Sequence, residues 1–248
     1  MLENADVPVF LISRDRLTIL IELVTWLQKA GFREVVVVDN ASAYPPLRRW
    51  LRETTCDVVE VEHNFFGHRS PWLTGTIQKR AFGRPFIVSD GDVVPSQECP
   101  TNICEHFGGL LDRYPEIDKV GFGLRLDDLP AHYGLRDHVR QWEARFWQDE
   151  VEPAVFRAPI DTTFALYRAG RSHNDGRALR TGFPYIARHL PWYQDSDHPT
   201  AEDRYYRDHA DPLISNWDRD RLPVWKQRWL RENTSPTDGP AAAEGDQN

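Results

Sequence analysis

The sequence predicts an α/β protein with a mostly parallel central sheet that is flanked by helices. Short apolar runs alternate with segments in which leucine and valine recur at helical spacing. The run at residues 34–39, EVVVVD, is unbroken and β-branched, which is typical of a parallel strand covered on both faces. Strands that alternate with helices in this way predict a parallel sheet with helices packed on its faces.

Each element follows from its periodicity along the chain. Strands are expected at residues 8–13, 34–39, 58–61, 85–89, 119–126 and 160–167. Helices are expected at residues 14–31, 45–52, 100–114, 136–147 and 200–209. Gly31 is a stop signal for the first helix. Thr200, with Asp203 three residues later, resembles the capping box that opens a helix.

The bulk properties argue against several classes of protein. The formal net charge is −8, whereas nucleic-acid binders usually carry a basic face. No apolar run approaches the roughly 20 residues of a membrane span, and residues 1–6 hold no basic start of a secretion signal. We therefore expect a cytoplasmic protein with no membrane span and no nucleic-acid partner. The polar segment at residues 233–248 is expected to be disordered.

Two acidic residues follow the strand expected at residues 85–89. Asp90, Gly91 and Asp92 come directly after the apolar run FIVS, and ligands of open α/β sheets bind beyond the carboxyl ends of strands. Two carboxylates flanking a glycine suit Mg²⁺ or Mn²⁺ and leave positions open for phosphate oxygens. A solvated turn or a pair of helix-capping aspartates is the alternative interpretation.

Three segments together resemble the GT-A glycosyltransferases. Residues 8–51 contain PVFLISRDR, spaced leucines and GFREVVVVDNASAYPPLRRWL. NFFG at residues 64–67 and the Asp-Gly-Asp triplet follow in the order and spacing of that family. The sequence looks most like the large inverting family two and its relatives. The resemblance is strong over residues 7–95 and looser over residues 96–232.

The resemblance implies a metal-dependent enzyme that moves a sugar from a nucleoside-diphosphate sugar to a small-molecule or glycan acceptor. UDP is the nucleotide that it favours, and inversion is the outcome that it favours. It implies one Rossmann-like GT-A domain over residues 1–232, with a nucleotide-binding half at about 7–95 and an acceptor-binding half at 96–232. Asp90 and Asp92 would hold Mn²⁺ or Mg²⁺, and Asp90 would also lie against the bound nucleotide.

Residues of the first half are expected to bind the nucleotide by this resemblance. Arg14 follows the first strand, and Asp39 would contact the base or the ribose. Asn64, Gly67 and Arg69 form a polar loop in which the glycine permits close approach and the arginine could pair with the diphosphate. The alternatives are a plain surface loop and, for Asp39, a strand-end residue that caps the next turn.

Inverting transfer needs a carboxylate near the acceptor hydroxyl to accept its proton. The family has an acid-acid pair at a helix start, and Glu202-Asp203 matches it, so Asp203 is the first candidate for the base. The helix cap is its alternative role. Asp161, at the head of IDTTFALY, is the second candidate, and Thr162 and Thr163 could share its hydrogen bonds.

A histidine late in the chain serves as a further metal ligand in many GT-A enzymes. His189 is the preferred candidate because Pro191 fixes the adjacent backbone and aromatic residues shield it. Neutral imidazole suits Mn²⁺. His209 is the second choice, and a structural histidine is the alternative.

Two other functions compete with glycosyl transfer. A sugar nucleotidyltransferase shares a related sheet, but such enzymes normally have a glycine-rich loop after the first strand. Here that loop reads Ser13-Arg14-Asp15-Arg16, without glycine. A non-catalytic module that binds a sugar or a nucleotide is the third hypothesis. Retaining transfer is a further mechanistic possibility, because the same metal motif serves both outcomes.

Overall fold

The computed structural model describes residues 1–64, 67–174, 176–210, 222 and 224–233. The strands are β1 (Val9–Ser13), β2 (Val35–Asn40), β3 (Asp57–Val61), β4 (Phe86–Asp90), β5 (Val93–Pro95), β6 (Lys119–Leu124), β7 (Glu150–Glu152), β8 (Val155–Arg157), β9 (Ala165–Tyr167) and β10 (Ala178–His189). The helices are α1 (Thr18–Lys29), α2 (Pro45–Glu53), α3 (Ser70–Leu73), α4 (Thr76–Arg80), α5 (Ile103–Arg113), α6 (Arg136–Ala144), α7 (Ala201–His209) and α8 (Val224–Asn233). Short 3₁₀ helices lie at Asn4–Asp6, Gly67–Arg69, Arg145–Trp147 and Leu190–Tyr193.

All of these strands belong to one sheet, in the order β3–β2–β1–β4–β9–β6–β10–β8–β7, with β5 paired to β10 beside this row. β1 pairs in parallel with β2 and β4, β2 with β3, and β6 with β10. β9 is antiparallel to both β4 and β6, so these two strands run in the same direction. Among the strands described, β5, β8 and β9 oppose that direction. The predicted α/β fold with a mostly parallel, Rossmann-like sheet is confirmed.

β1 illustrates how the sheet is covered on both faces. All of its residues are buried. Leu11 belongs to a core cluster that contains Leu23 of α1, whereas Phe10 belongs to a second cluster that contains Trp72 of α3. Consecutive side chains of a strand point to opposite faces. Helices on both sides therefore explain why the run is apolar throughout and does not alternate.

β9 is a central strand of the sheet and lies between β4 and β6. A Cβ atom at Gly121 of β6 would lie 2.4 Å from the carbonyl oxygen of Phe164, so only glycine allows this close approach. The strand expected at residues 160–167 is shorter than predicted. Asp90 N donates to the Thr162 carbonyl over 2.7 Å, and this contact turns the residues before β9 into a loop beside the end of β4.

Three further expectations concern the C-terminal tail, the boundary between the two halves and membrane spans. Asn233, which the predicted disordered tail included, is the last residue of α8, and residues 234–248 lie outside the described residues. The boundary between the two predicted halves, near residue 95, stays a prediction. No helix in the described part of the chain is long and apolar enough to cross a membrane.

Candidate active site

A cavity of about 780 Å³ opens at the carboxyl ends of β1 and β4. Both halves of the chain contribute to it. Its lining includes Arg14, Arg16, Asn40, Asn64, Gly67, His68, Asp90, Asp92, Trp142, Glu143, Arg145, Asp161, Thr162, Thr163, Arg180, His189, Tyr206, Arg207, Trp225 and Lys226. This is the edge of the sheet at which open α/β folds bind their ligands.

The Asp-Gly-Asp turn is packed directly against the end of β1. Gly91 N donates to the carbonyl oxygen of Ile12 over 2.9 Å. A Cβ atom at position 91 would lie 3.0 Å from that same oxygen and 3.1 Å from Leu20. Glycine therefore lets the turn lie close to β1, and the carboxylates of Asp90 and Asp92 are held at the cavity wall.

The carboxylate of Asp90 is half-buried beside two other acids. Burial raises the pKa of Asp90 well above its usual value, and the charges of Asp92 and Asp161 add to that effect. Thr162 opposes it, because its hydroxyl donates to Asp90 Oδ2 over 2.6 Å. A carboxylate held this way gains from a cation placed beside it, since opposite charge favours the ionised form.

His189 lies against the second carboxylate of the triplet. Its Nε2 is 3.6 Å from Asp92 Oδ1, and the pairing of β5 with β10 brings the two residues together, with His189 opposite Val93. Leu190 N also donates to the Asp92 carbonyl over 3.0 Å. Burial lowers the pKa of His189, which favours the neutral imidazole that a metal ion requires.

Asp90, Asp92 and His189 have the donor chemistry that a divalent cation such as Mn²⁺ or Mg²⁺ requires. Asp92 Oδ1 and His189 Nδ1 are buried, and neither has a hydrogen-bond partner among the described residues. Hard carboxylate oxygens with an imidazole match the ligand preference of Mn²⁺. In the described ranges no three His, Cys, Asp or Glu side chains are grouped closely enough to hold an ion by themselves. A bound phosphate group and water would therefore complete the coordination.

Arg14, Asn64 and Gly67, which the sequence predicts as nucleotide contacts, line the same cavity. Asn40 Nδ2 donates to the Gly67 carbonyl over 2.8 Å and ties that loop to the end of β2. Arg69, in contrast, is exposed and lies outside the lining. His68 takes the corresponding place in the wall, because the 3₁₀ turn at Gly67–Arg69 carries Arg69 away from the cavity.

Asp39, also predicted as a nucleotide contact, lies behind the cavity wall. Its side chain is fully buried and does not line the cavity. Asp39 Oδ2 accepts the Ser42 backbone N–H over 3.0 Å, and Oδ1 accepts the Ser42 hydroxyl. Ser42 Oγ in turn accepts from Asp15 N over 3.0 Å. Asp39 therefore fixes the loops after β1 and β2, and the adjacent Asn40 is the residue that reaches the cavity.

Asp203, the first candidate for the base, forms the helix cap that was its alternative role. Its Oδ2 accepts the backbone N–H of Thr200 over 3.0 Å and the Thr200 hydroxyl over 2.6 Å, while Asp203 N donates to Thr200 Oγ1. This capping box uses the carboxylate at the start of α7, and Asp203 does not line the cavity. Asp161, the second candidate for the base, does line it.

Arg16 and Tyr206 were not predicted from the sequence, although both line the cavity. The guanidinium carbon of Arg16 lies 3.9 Å from the centre of the Tyr206 ring. Arg16 Nε and Nη1 are buried without hydrogen-bond partners among the described residues. The available signal was the alternation in Ser13-Arg14-Asp15-Arg16, which brings a second arginine to the same loop.

No protein-family model matches this chain, and no curated protein sequence matches it. Its fold is similar to that of a UDP-glucose pyrophosphorylase complexed with UDP-glucose, at 14% identity and a TM-score of 0.36, over 71% of this chain and 73% of that one. It is also similar to HddC from Yersinia pseudotuberculosis, at 11% identity and a TM-score of 0.38, over 84% and 86% of the two chains. A putative glucose-1-phosphate thymidylyltransferase from Bacillus anthracis matches at 8% identity and a TM-score of 0.37, over 91% and 83%. These values are low, and no functional conclusion for this chain follows from them.

Proposed function

We propose that the protein is a metal-dependent glycosyltransferase that moves a sugar from a nucleoside-diphosphate sugar to a hydroxyl acceptor with inversion. The observation that supports this best is the position of Asp90, Asp92 and Asp161 in one cavity at the carboxyl end of β4. Two carboxylates suit a metal-bound diphosphate, and a third can act as a base. UDP is the nucleotide that we expect, from the resemblance of the sequence.

The donor end of the cavity is the end at the Asp-Gly-Asp turn. Asp90, Asp92 and His189 would hold Mn²⁺ or Mg²⁺, and a bound cation would neutralise the negative charge that builds on the departing diphosphate. Arg16 adds two buried donors without hydrogen-bond partners in the described residues. A guanidinium of this kind suits a phosphate oxygen, because its donors form short charge-assisted hydrogen bonds.

Asp161 is our candidate for the general base. The oxygen of the acceptor hydroxyl forms a bond to the anomeric carbon while the bond from that carbon to the diphosphate breaks. Asp161 accepts the hydroxyl proton, and the electron pair of the breaking bond leaves with the diphosphate. The neighbouring Thr162 hydroxyl donates to Asp90 over 2.6 Å and therefore not to Asp161, and Asp161 lines the cavity.

A sugar nucleotidyltransferase is the principal alternative. The loop after β1 lacks the glycines typical of that class, and Asp15 adopts a positive φ of 50° there. Asp15 Oδ1 accepts the backbone N–H groups of Ala43 and Tyr44 over 2.7 and 2.8 Å. A side chain thus stabilises a backbone conformation that glycine adopts without strain, in a loop that lacks the glycines of the nucleotidyltransferase class.

The first test is thermal unfolding with UDP, GDP and dTDP, each with and without Mn²⁺, on the wild type and on Asp92→Ala. A ligand that binds the native state raises the melting temperature by mass action. We expect one diphosphate to raise it only with metal, and Asp92→Ala to lose that response. Asp137→Ala, at an exposed position on α6, is the matched control.

Turnover separates the three functions. A glycosyltransferase releases nucleoside diphosphate from a nucleotide sugar in the presence of an acceptor. A nucleotidyltransferase instead releases pyrophosphate from a nucleoside triphosphate and a sugar 1-phosphate. A binding module gives the metal-dependent stabilisation with neither product. If no nucleotide stabilises the wild type with any metal, the proposal is wrong.

A further inference from the structure

The cavity continues from Asp161 into a second region with its own charges, which we name the basic pocket. It consists of Glu143 of α6, Arg145 after that helix, Arg180 of β10 and Lys226 of α8, all of which line the cavity. Glu143, Arg180 and Lys226 are 5%, 4% and 3% exposed. Charged side chains are rarely buried to this degree unless they are paired or bind something.

One ion pair accounts for two of these charges. Arg180 Nη1 donates to Glu143 Oε2 over 2.9 Å, and Arg180 Nε donates to the Pro159 carbonyl over 2.9 Å. Arg145 and Lys226 add two further basic side chains to the basic pocket. Burial lowers the pKa of Lys226 to about 7, although Glu143 and Asp161 both act to raise it.

The charge of the whole lining differs from that of the chain. The chain carries a net charge of −8. Within the described residues the cavity is lined by six Arg and Lys side chains but four Asp and Glu side chains. The excess of cations remains even though the Asp-Gly-Asp turn adds two carboxylates for a metal ion. An excess of positive charge in a cavity favours ligands of negative charge.

Aromatic rings adjoin the basic pocket. Trp142 stacks on the Arg145 guanidinium at 3.6 Å and lies 5.5 Å from Lys226 Nζ. The Trp225 ring is 5.6 Å from the Trp142 ring and lines the same cavity. Flat aromatic faces beside polar groups suit a ligand with both an apolar face and a charge.

We propose that the basic pocket binds the carboxylate or phosphate of an anionic acceptor, such as a sugar acid or a sugar phosphate. Lys226, Arg145 and Arg180 contact the anion, the ring of the acceptor lies against Trp142, and its hydroxyl reaches Asp161. This inference rests on the proposed function, because it names the acceptor of that reaction. It adds a property that the donor site does not require, namely selection for negative charge on the acceptor.

The test is calorimetric titration of the full chain with three probes: glucose 6-phosphate, glucuronate and glucose. The protein is saturated with UDP and Mn²⁺, so that the donor end is occupied. We expect at least one anionic probe to bind about tenfold or more tightly than glucose. Lys226→Met should weaken that binding about tenfold. Arg231→Met removes an exposed cation from the same helix and should leave it unchanged.

Each probe distinguishes one source of the anion. Preference for glucose 6-phosphate indicates a phosphate, and preference for glucuronate indicates a carboxylate. Equal binding of all three probes, no binding of any, or full binding by Lys226→Met would overturn the proposal. It would also be overturned if UDP-glucuronate bound more tightly than UDP-glucose in a Lys226-dependent manner, because the anion would then belong to the donor.

Two controls keep this test separate from that of the proposed function. The titrations are repeated without nucleotide on Asp92→Ala, which lacks the metal site but keeps the basic pocket. If Asp92→Ala binds the anionic probe and the wild type shows no response to any nucleotide, the proposal for the basic pocket stands and the proposed glycosyltransferase activity is rejected. If Lys226→Met does not fold, Arg145→Gln changes an exposed member of the pocket and answers the same question.

Discussion

Thr162 and Asp90 are joined by two hydrogen bonds, one from side chain to side chain and one through the backbone. The Thr162 hydroxyl donates to Asp90 Oδ2 over 2.6 Å, and Asp90 N donates to the Thr162 carbonyl over 2.7 Å. The loop that carries Asp161 is thereby fixed to the Asp-Gly-Asp turn. The proposed base and the proposed metal ligands are held in one geometry by a contact between residues 72 positions apart.

Thr162→Val tests this contact. The hydrogen bond to Thr162 lowers the pKa of Asp90, which burial raises, so its loss should raise that pKa further. Metal binding requires the ionised carboxylate, and the pH at which half of the Mn²⁺-dependent stabilisation appears should move upward. Thr163→Val is the matched control, because Thr163 Oγ1 has no hydrogen-bond partner in the described residues. An unchanged midpoint in Thr162→Val would contradict the expectation.

Asp161→Asn should abolish most turnover while leaving nucleotide binding in place. An amide cannot accept the proton of the acceptor hydroxyl, and loss of a general base costs about 10²- to 10⁴-fold in rate. The measurement is nucleoside diphosphate release, with the metal-dependent rise in melting temperature as the check on donor binding. A variant that keeps near-normal turnover would rule out Asp161 as the base.

Asp203→Ala should act on stability instead. The carboxylate belongs to the capping box of α7, and removal of a helix cap costs about 1 kcal/mol. We expect a lower melting temperature and, below it, turnover within a few-fold of the wild type. Thr200→Ala removes the other side chain of the same box and should behave in the same way. Loss of turnover in Asp203→Ala alone would restore Asp203 as a candidate base.

Arg16→Gln should weaken binding of the metal–diphosphate complex by about tenfold, because a charge-assisted contact is lost. The variant keeps a polar side chain that is shorter and uncharged. Arg33→Gln, at an exposed position beyond α1, provides the control for a change of net charge. The measurement is UDP affinity at fixed Mn²⁺, repeated at higher salt. Equal affinities for the two variants would remove Arg16 from the donor site.

Lys226 should give the folding stability a distinct pH dependence. Its pKa is lowered to about 7 in the folded protein, whereas an unfolded lysine titrates near ~10.4. Between these values the unfolded state binds more protons, so the free energy of unfolding rises with pH. The wild type should gain stability relative to Lys226→Met from about pH 7 to about pH 10. The comparison is urea unfolding of both proteins across that window, and parallel profiles would contradict it.

The nucleotide half of the sheet was predictable because its strands are continuous apolar runs. β2 was expected at residues 34–39 and spans Val35–Asn40, and the Asp-Gly-Asp turn does follow β4. β10 was missed because Gly182 and Pro184 interrupt its pattern, and its register to β6 shifts between Thr181 and Ile186. A strand with such a break shows no clear period of two.

The candidate site was only partly predictable, for a related reason. Asp39 and Asp203 form local hydrogen bonds in a turn and in a helix cap. The sequence had offered each of these roles as the alternative to a role in the site. The basic pocket gave no sequence signal, because Glu143 and Arg180 lie on different elements and meet only in the folded sheet. Long-range ion pairs of this kind have no fixed spacing along the chain.

The central position of β9 has a consequence during synthesis on the ribosome. The strands beside it, β4 and β6, are complete by Asp90 and Leu124, whereas β9 begins at Ala165. Until β9 emerges, two nascent strand edges face each other without a partner, and open edges invite pairing with other chains. Translation that pauses before residue 165 prolongs the time for which these edges lack β9, and the same pause withholds Thr162 from Asp90.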